Sequence, residues 1–211
     1  MKTLNKLIAF LKNPYQAEEF KNITAKEFFS LLLLSIIMII PIIAVGVLIG
    51  IDDMDHLIIQ LWEENRWLVV FMAIVIAPLM EEPLFRLHLV LKKSYIYWGM
   101  GLSIFFLSYP VILLWIYFIY LLVNLNRGVQ TNLKFVVFTS SALFALVHIG
   151  NYPGFDYAQY FYLIPVLVGA QFIIGLVLSY IRLIYGMKWA ILFHAFYNAI
   201  IVLTALLFYN P

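Results

Sequence analysis

Long apolar runs, each closed by a short polar or turn-forming stretch, divide the 211-residue chain. The first covers about Phe28 to Gly50, longer than the ~20 apolar residues that cross a bilayer as a helix. The second runs from Trp67 to about Leu91 and stops at Lys92-Lys93. The third, Tyr95 to Val123, is interrupted at Ser108-Tyr109-Pro110, so it reads either as one kinked crossing or as two short ones. Lys134 to Ile149 follows, ended by "GNYPGFD", and then about Tyr160 to Ile184 and Trp189 to Tyr209. The pattern predicts an all-α, polytopic membrane helix bundle of six to seven transmembrane helices.

Residues 1–27 break this pattern. Lys2, Lys6, Lys12, Lys21 and Lys26 punctuate them, and Asn13-Pro14 separates two short amphipathic stretches. Leu4, Leu7, Ile8 and Leu11 fall at helical spacing, which predicts a helix on the membrane surface. Thr24 followed by Glu27 is a capping-box pattern that starts the first spanning helix. The expected division is an amphipathic segment over 1–27 and an integral membrane domain over 28–211.

Composition agrees with a membrane domain. The chain is 65% hydrophobic and 11% charged, with a mean hydropathy of +0.99, where soluble domains are about half apolar and a quarter charged. With no cysteine there is no disulfide framework, thiol nucleophile or thiolate metal site. A net charge of +2 without a basic, aromatic-interleaved patch argues against nucleic acid as a partner. Aromatics, at 18%, suit the two interfacial belts. No cleavable signal peptide and no internal repeat are legible.

Orientation follows from where lysine and arginine gather. The five early lysines put the amino terminus in the cytoplasm, Asp52, Asp53, Asp55, Glu63 and Glu64 then fall outside, and Lys92-Lys93 return inside. If Pro110 marks a turn, Arg127 with Lys134, and Arg182 with Lys188, also fall inside, which favours seven crossings. The compact length suggests a bacterial cytoplasmic membrane.

Against this apolar background a few polar residues stand out, because a charge near the bilayer centre costs roughly 2.5–3.5 kcal/mol on insertion scales. Glu82 and Arg86 are four apart and share a helix face, acid on the amino-terminal side, while Glu81 lies ~100° round the helix. That predicts Arg86 neutralising Glu82 and leaves Glu81 for proton transfer; a structural ion pair near the interface is the plainer alternative. His88, near the helix end, reads as an interfacial histidine. His148, four residues after Phe144, reads alone as a packing residue, and His194 with Asn198 alone as a helix–helix hydrogen-bonding pair. Together the three helices hold nearly all the strongly polar chemistry of the spans, and the economical reading is one shared wet cavity.

A glutamate and a histidine that activate water, beside a histidine and an amide that donate to an oxyanion, would hydrolyse a peptide bond. The same acid with two histidines (Glu81, His148, His194) could instead ligate zinc, although the helical HExxH spacing is absent. The ordered set Glu81-Glu82-Pro83-Leu84-Phe85-Arg86, Phe144-x-x-x-His148 and His194-x-x-x-Asn198 resembles the CPBP family, the Abi/CAAX-protease group of intramembrane endopeptidases related to the type II CAAX prenyl protease. The resemblance covers about Ile74 to Ile201 and implies a protease-like core over about 67–209. It implies that Glu81 and His148 hold and activate the water, that His194 and Asn198 stabilise the oxyanion, and that Glu82 and Arg86 brace the site. It implies no cofactor, with zinc as the rival. Leu87 stands where the family usually has glycine, and the gap from Arg86 to His148 is longer by roughly a helical hairpin around Pro110.

The expected function is therefore intramembrane hydrolysis of a membrane-associated peptide or protein, with the lipid bilayer as the other partner and the oligomeric state open. A catalytically silent scaffold or bacteriocin-immunity-type protein of the same fold is the alternative. A small transporter or proton relay is weaker, since no inverted repeat is visible.

Overall fold

The structure, a computed structural model, describes residues 2–51, 54, 56–106 and 110–208. Asp52, Asp53 and Asp55 of the expected outer connection, Ser108 and Tyr109 of the expected break, and Tyr209 lie outside the described residues. Among the described residues the regular structure is helical.

The expected cap at Thr24 forms: the Glu27 N–H donates to Thr24 Oγ1 at 3.2 Å, and α2 (Ala25–Leu48) grows from it. The Glu27 carboxylate does not close the box but accepts from Lys6 Nζ at 2.9 Å. That bond ties α2 to α1 (Lys2–Lys12), whose Leu7 and Phe10 are buried against the bundle while Ile8 faces out. The Phe10 ring meets Tyr180 edge-on at 5.1 Å.

The second span is one rod with three helical pitches. In α3 (Leu57–Phe71) the backbone leaves helical geometry at Asn65, whose Oδ1 accepts from the Leu68 N–H at 3.1 Å. The apolar run that starts at Trp67 thus begins on its own cap. A π turn over Met72–Ile76 follows, then α4 (Ala77–Arg86) and a 3₁₀ turn over Leu87–Val90.

The interrupted third run folds into a hairpin. In α5 (Lys93–Ser103) and α6 (Val111–Asn126), Ser103 Oγ accepts from Trp115 Nε1 at 2.8 Å, and Gly99 lies under the Phe118 ring. Ser103 faces Trp115 and Gly99 faces Phe118, so the two helices are antiparallel. At 11 and 16 residues both are shorter than the ~20 that a straight crossing takes. Among the described residues four helices are long and apolar enough to span, and five if the bent pair ending in α10 counts as one. The expected six to seven full crossings are therefore not reached by length, because the Tyr95–Val123 run supplies two half-length helices.

After the hairpin come α7 (Leu133–Val147), the short α8 (Tyr157–Tyr160) and α9 (Ile164–Leu167), then α10 (Gly169–Tyr185) and α11 (Met187–Phe208). The stretch carrying α8 and α9 meets α10 at a 46° bend. Helices α2, α4, α7, α10 and α11 enclose the core. Apolar side chains such as Phe29, Leu33, Ile37 and Ile40 on α2 point outward, as a lipid-facing surface requires.

Gly99 permits the hairpin's close approach, since a Cβ there would sit 2.8 Å from Phe118 Cζ. Phe118 is fully buried and has no space to yield. Gly99→Ala should therefore lower stability by about 1–3 kcal/mol, read by unfolding in detergent micelles, and Phe118→Leu in the same chain should recover much of the loss.

Candidate active site

The two adjacent glutamates of α4 take different environments because successive helical residues point ~100° apart. Glu82 and Arg86 have fully buried side chains, with Glu82 Oε2 3.7 Å from Arg86 Nε, a close ion pair without a hydrogen bond. Glu82 Oε1 lies 2.9 Å from His194 Nδ1 of α11. Glu81 keeps 13% of its side chain exposed, and its Oε2 lies 3.8 Å from Nε2 of the same imidazole. His194 thus stands between two carboxylates, one sealed and one open. Facing a carboxylate, Nδ1 carries a proton.

Arg86 is lodged rather than solvated. Its guanidinium stacks over the Phe144 ring at 4.1 Å and donates from Nη2 to the Gly175 carbonyl at 3.5 Å. Gly175 makes that possible, since a Cβ there would come within 3.2–3.3 Å of Ser141, Phe144 and Arg86 together. Serines close the neighbouring seams: Ser141 Oγ of α7 lies 3.3 Å from Ser179 Oγ of α10, and Ser140 Oγ of α7 donates to the Phe85 carbonyl of α4.

His148 ends α7. Its Nδ1 lies 2.7 Å from the Phe144 carbonyl. A carbonyl only accepts, so Nδ1 carries the hydrogen, and in the neutral imidazole Nε2 is then the nitrogen with the lone pair. The Phe144 ring contacts His148 at 4.8 Å and His194 at 5.9 Å between centroids, so one aromatic ring separates the two imidazoles. Among the described residues no hydrogen bond or ion pair joins His148 to either glutamate.

Asn198, one turn beyond His194, donates from Nδ2 to the Ala73 carbonyl at 2.7 Å. Four of the expected residues are thus linked in one chain of contacts, Arg86 to Glu82, Glu82 to His194 and His194 to Glu81. His148 joins them through Phe144, and Asn198 is bonded to the π turn that precedes α4. Among the described residues no three histidine, aspartate or glutamate side chains gather closely enough to hold one metal ion. The set Glu81, His148 and His194 does not meet that requirement, so no chemical step below runs through a metal.

Two expectations change. His88, read as interfacial, is fully buried, with its ring against Tyr117 at 5.3 Å and Phe118 at 5.1 Å. The 3₁₀ turn after Arg86 departs from the 3.6-residue phase and directs His88 toward the hairpin. Arg182, read only as a marker of the inner face, is 4% exposed, and its Nε donates to the Arg86 carbonyl at 3.2 Å. A sequence signal for it existed in the arginine's place within an apolar run, four residues before Gly186.

Sequence reasoning also passed over His56, which caps α3 by accepting from the Ile58 N–H at 3.2 Å and meets Tyr152 edge-on at 4.8 Å. Burial, and then the nearby His148, hold its imidazole below the ordinary range.

Comparison with known proteins bears on this geometry. A family model described as Type II CAAX prenyl endopeptidase Rce1-like matches residues 63–200, which take in all three motifs. No curated protein and no solved structure matches the chain. A match over well more than half of the length, carrying every motif residue, identifies the chain as a member of the type II CAAX prenyl endopeptidase Rce1-like family.

Proposed function

We propose that this protein is an intramembrane endopeptidase of the glutamate type, cutting a peptide bond in a membrane-associated peptide or protein. The observation that carries this reading is the His194 imidazole held between the sealed Glu82, at 2.9 Å, and the open Glu81, at 3.8 Å, inside an apolar bundle.

In the proposed reaction a water is held by Glu81 and by His148, whose Nε2 lone pair is left free by the Nδ1 bond to Phe144. One of these two bases takes a proton as the water oxygen attacks the substrate carbonyl carbon. The carbonyl oxygen becomes an oxyanion, which accepts from His194 in its doubly protonated form and from the second N–H of Asn198, the first being engaged at Ala73. When the C–N bond breaks, the proton passes to the departing amine nitrogen. A carboxylate and an amine are released. Glu82 and Arg86 brace the site, Glu82 by fixing the His194 ring and Arg86 by offsetting the buried charge.

The basic residues support an orientation with the amino terminus in the cytoplasm. An α5–α6 hairpin that enters and leaves on one side puts Lys92, Lys93, Arg127, Lys134 and Lys188 together on that face. Counting both hairpin arms as passes gives the seven-helix arrangement, and the arms are short enough to require local thinning or partial insertion.

Glu81→Gln and His148→Ala should each lower hydrolysis by about 10²–10⁴-fold, measured in proteoliposomes on matched peptides with and without a prenylated carboxy-terminal tail. Activity should survive chelation, checked together with elemental metal analysis. Wild-type biological function retained by both variants would favour the silent scaffold. Arg86→Met should destabilise the protein by about 3–5 kcal/mol, because it leaves Glu82 buried without a counter-charge, while adding Glu82→Gln should return much of that loss. Unfolding in micelles reads both.

A further inference from the structure

The π turn over Met72–Ile76 leaves a carbonyl to be accounted for. Its closing bond runs from the Ala77 N–H to the Met72 oxygen, five residues back. In an α-helix the Ala77 N–H would instead serve Ala73. The next backbone nitrogen in π register is Pro78, which has no hydrogen. Ala73 therefore has no α- or π-register donor on its own helix, in a segment where lipid offers none either. Asn198 Nδ2 meets that oxygen from α11 at 2.7 Å.

We infer that Asn198 is a positioning residue for the two glutamates, supplying to Ala73 the N–H that Pro78 lacks and so holding the π turn that sets their rotational phase against His194. A π turn inserts one residue relative to α pitch, which rotates everything after it by ~100°. Glu81 and Glu82 lie within ten residues of that insertion. Had the turn relaxed to α pitch, the face that presents Glu82 to His194 would point elsewhere. The same helix that receives Glu82 through His194 thus fixes the turn that aims it. Pro78, Ala73 and Asn198 form one device: the proline removes the donor, the π turn redirects a carbonyl, and the amide satisfies it. This adds to the proposed oxyanion role of Asn198, on which it draws only for the activity readout.

The test is a double-mutant cycle on the full-length protein in micelles, with Asn198→Ala, Pro78→Ala and both together. Asn198→Ala should lower Tm by about 2–6 °C. Pro78→Ala restores a backbone N–H near Ala73, so Asn198→Ala should cost clearly less in its presence. Equal losses with and without Pro78→Ala would overturn the bond. Asn198→Leu, which keeps the volume but supplies no donor, should lower Tm as Asn198→Ala does; an unchanged Tm would also overturn it, even if the proline variant fails to fold. For positioning, the acidic limb of the kcat/KM–pH profile should move in Asn198→Ala, because Glu81 and Glu82 change their pairing with His194. A uniform drop with unmoved limbs would reduce Asn198 to a structural clamp and overturn that role. Coupling in Tm without any wild-type hydrolysis would leave the bond standing and remove the protease reading, whereas hydrolysis without coupling would do the reverse.

Discussion

A carboxylate sealed inside an apolar bundle is the constraint that organises this molecule. Unpaired, the Glu82 charge would cost several kcal/mol, and the structure answers it with Arg86 at 3.7 Å and His194 at 2.9 Å. The answer creates a second demand, because the guanidinium itself must be housed. Phe144 takes one face of it, the Gly175 carbonyl accepts from one edge, and serines line the seam so that α7 and α10 can close around it. Small residues at that seam follow from the charge, since lipid offers helices no hydrophobic drive to associate and close contact must supply it.

The same constraint separates the two glutamates. One position along α4 is enough to turn Glu81 out of the sealed pair and leave it 13% exposed, still facing His194. One acid is therefore sealed against an imidazole, while the other keeps part of its side chain exposed. Burial depth, rather than residue type, separates the two identical side chains.

Much of this was legible in the chain. Four-residue spacing announced the Glu82–Arg86 pair, and Thr24 with Glu27 announced the start of α2. The scarcity of polar residues in the spans argued that Glu81, Glu82, Arg86, His148, His194 and Asn198 share one wet cavity. Glu82 meets Arg86 and His194 and Glu81 faces His194, while His148 is reached through Phe144 and Asn198 is bonded at Ala73. What stayed hidden depends on helical phase. Periodicity reports that a segment is helical but not that it changes pitch, and the second span leaves α pitch twice. The π turn places Ala73 before Asn198, and the 3₁₀ turn carries His88 inward. The role of Arg182 stayed hidden for a different reason: within six residues of Lys188 it read as part of a basic inner rim, and spacing gave no sign that its side chain reaches the Arg86 carbonyl.

The hairpin between the motifs shows why extra chain at that point need not disturb the site. Ser140 bonds the Phe85 carbonyl, and Tyr117, which packs on His88, donates to the Val136 carbonyl. Moving back along α4 from His88 to Phe85 therefore corresponds to moving forward along α7 from Val136 to Ser140, so the two helices are antiparallel. Continuing one turn along α7 brings Phe144 to the level of Glu81 on α4, and His148 lies one turn further on. One inserted crossing would have reversed α7 and sent His148 to the opposite leaflet. A pair of antiparallel helices returns the chain to its starting side, whatever their length. Direction is thus the property the hairpin preserves, and Gly99 under Phe118 is a contact that lets two short helices fold back tightly.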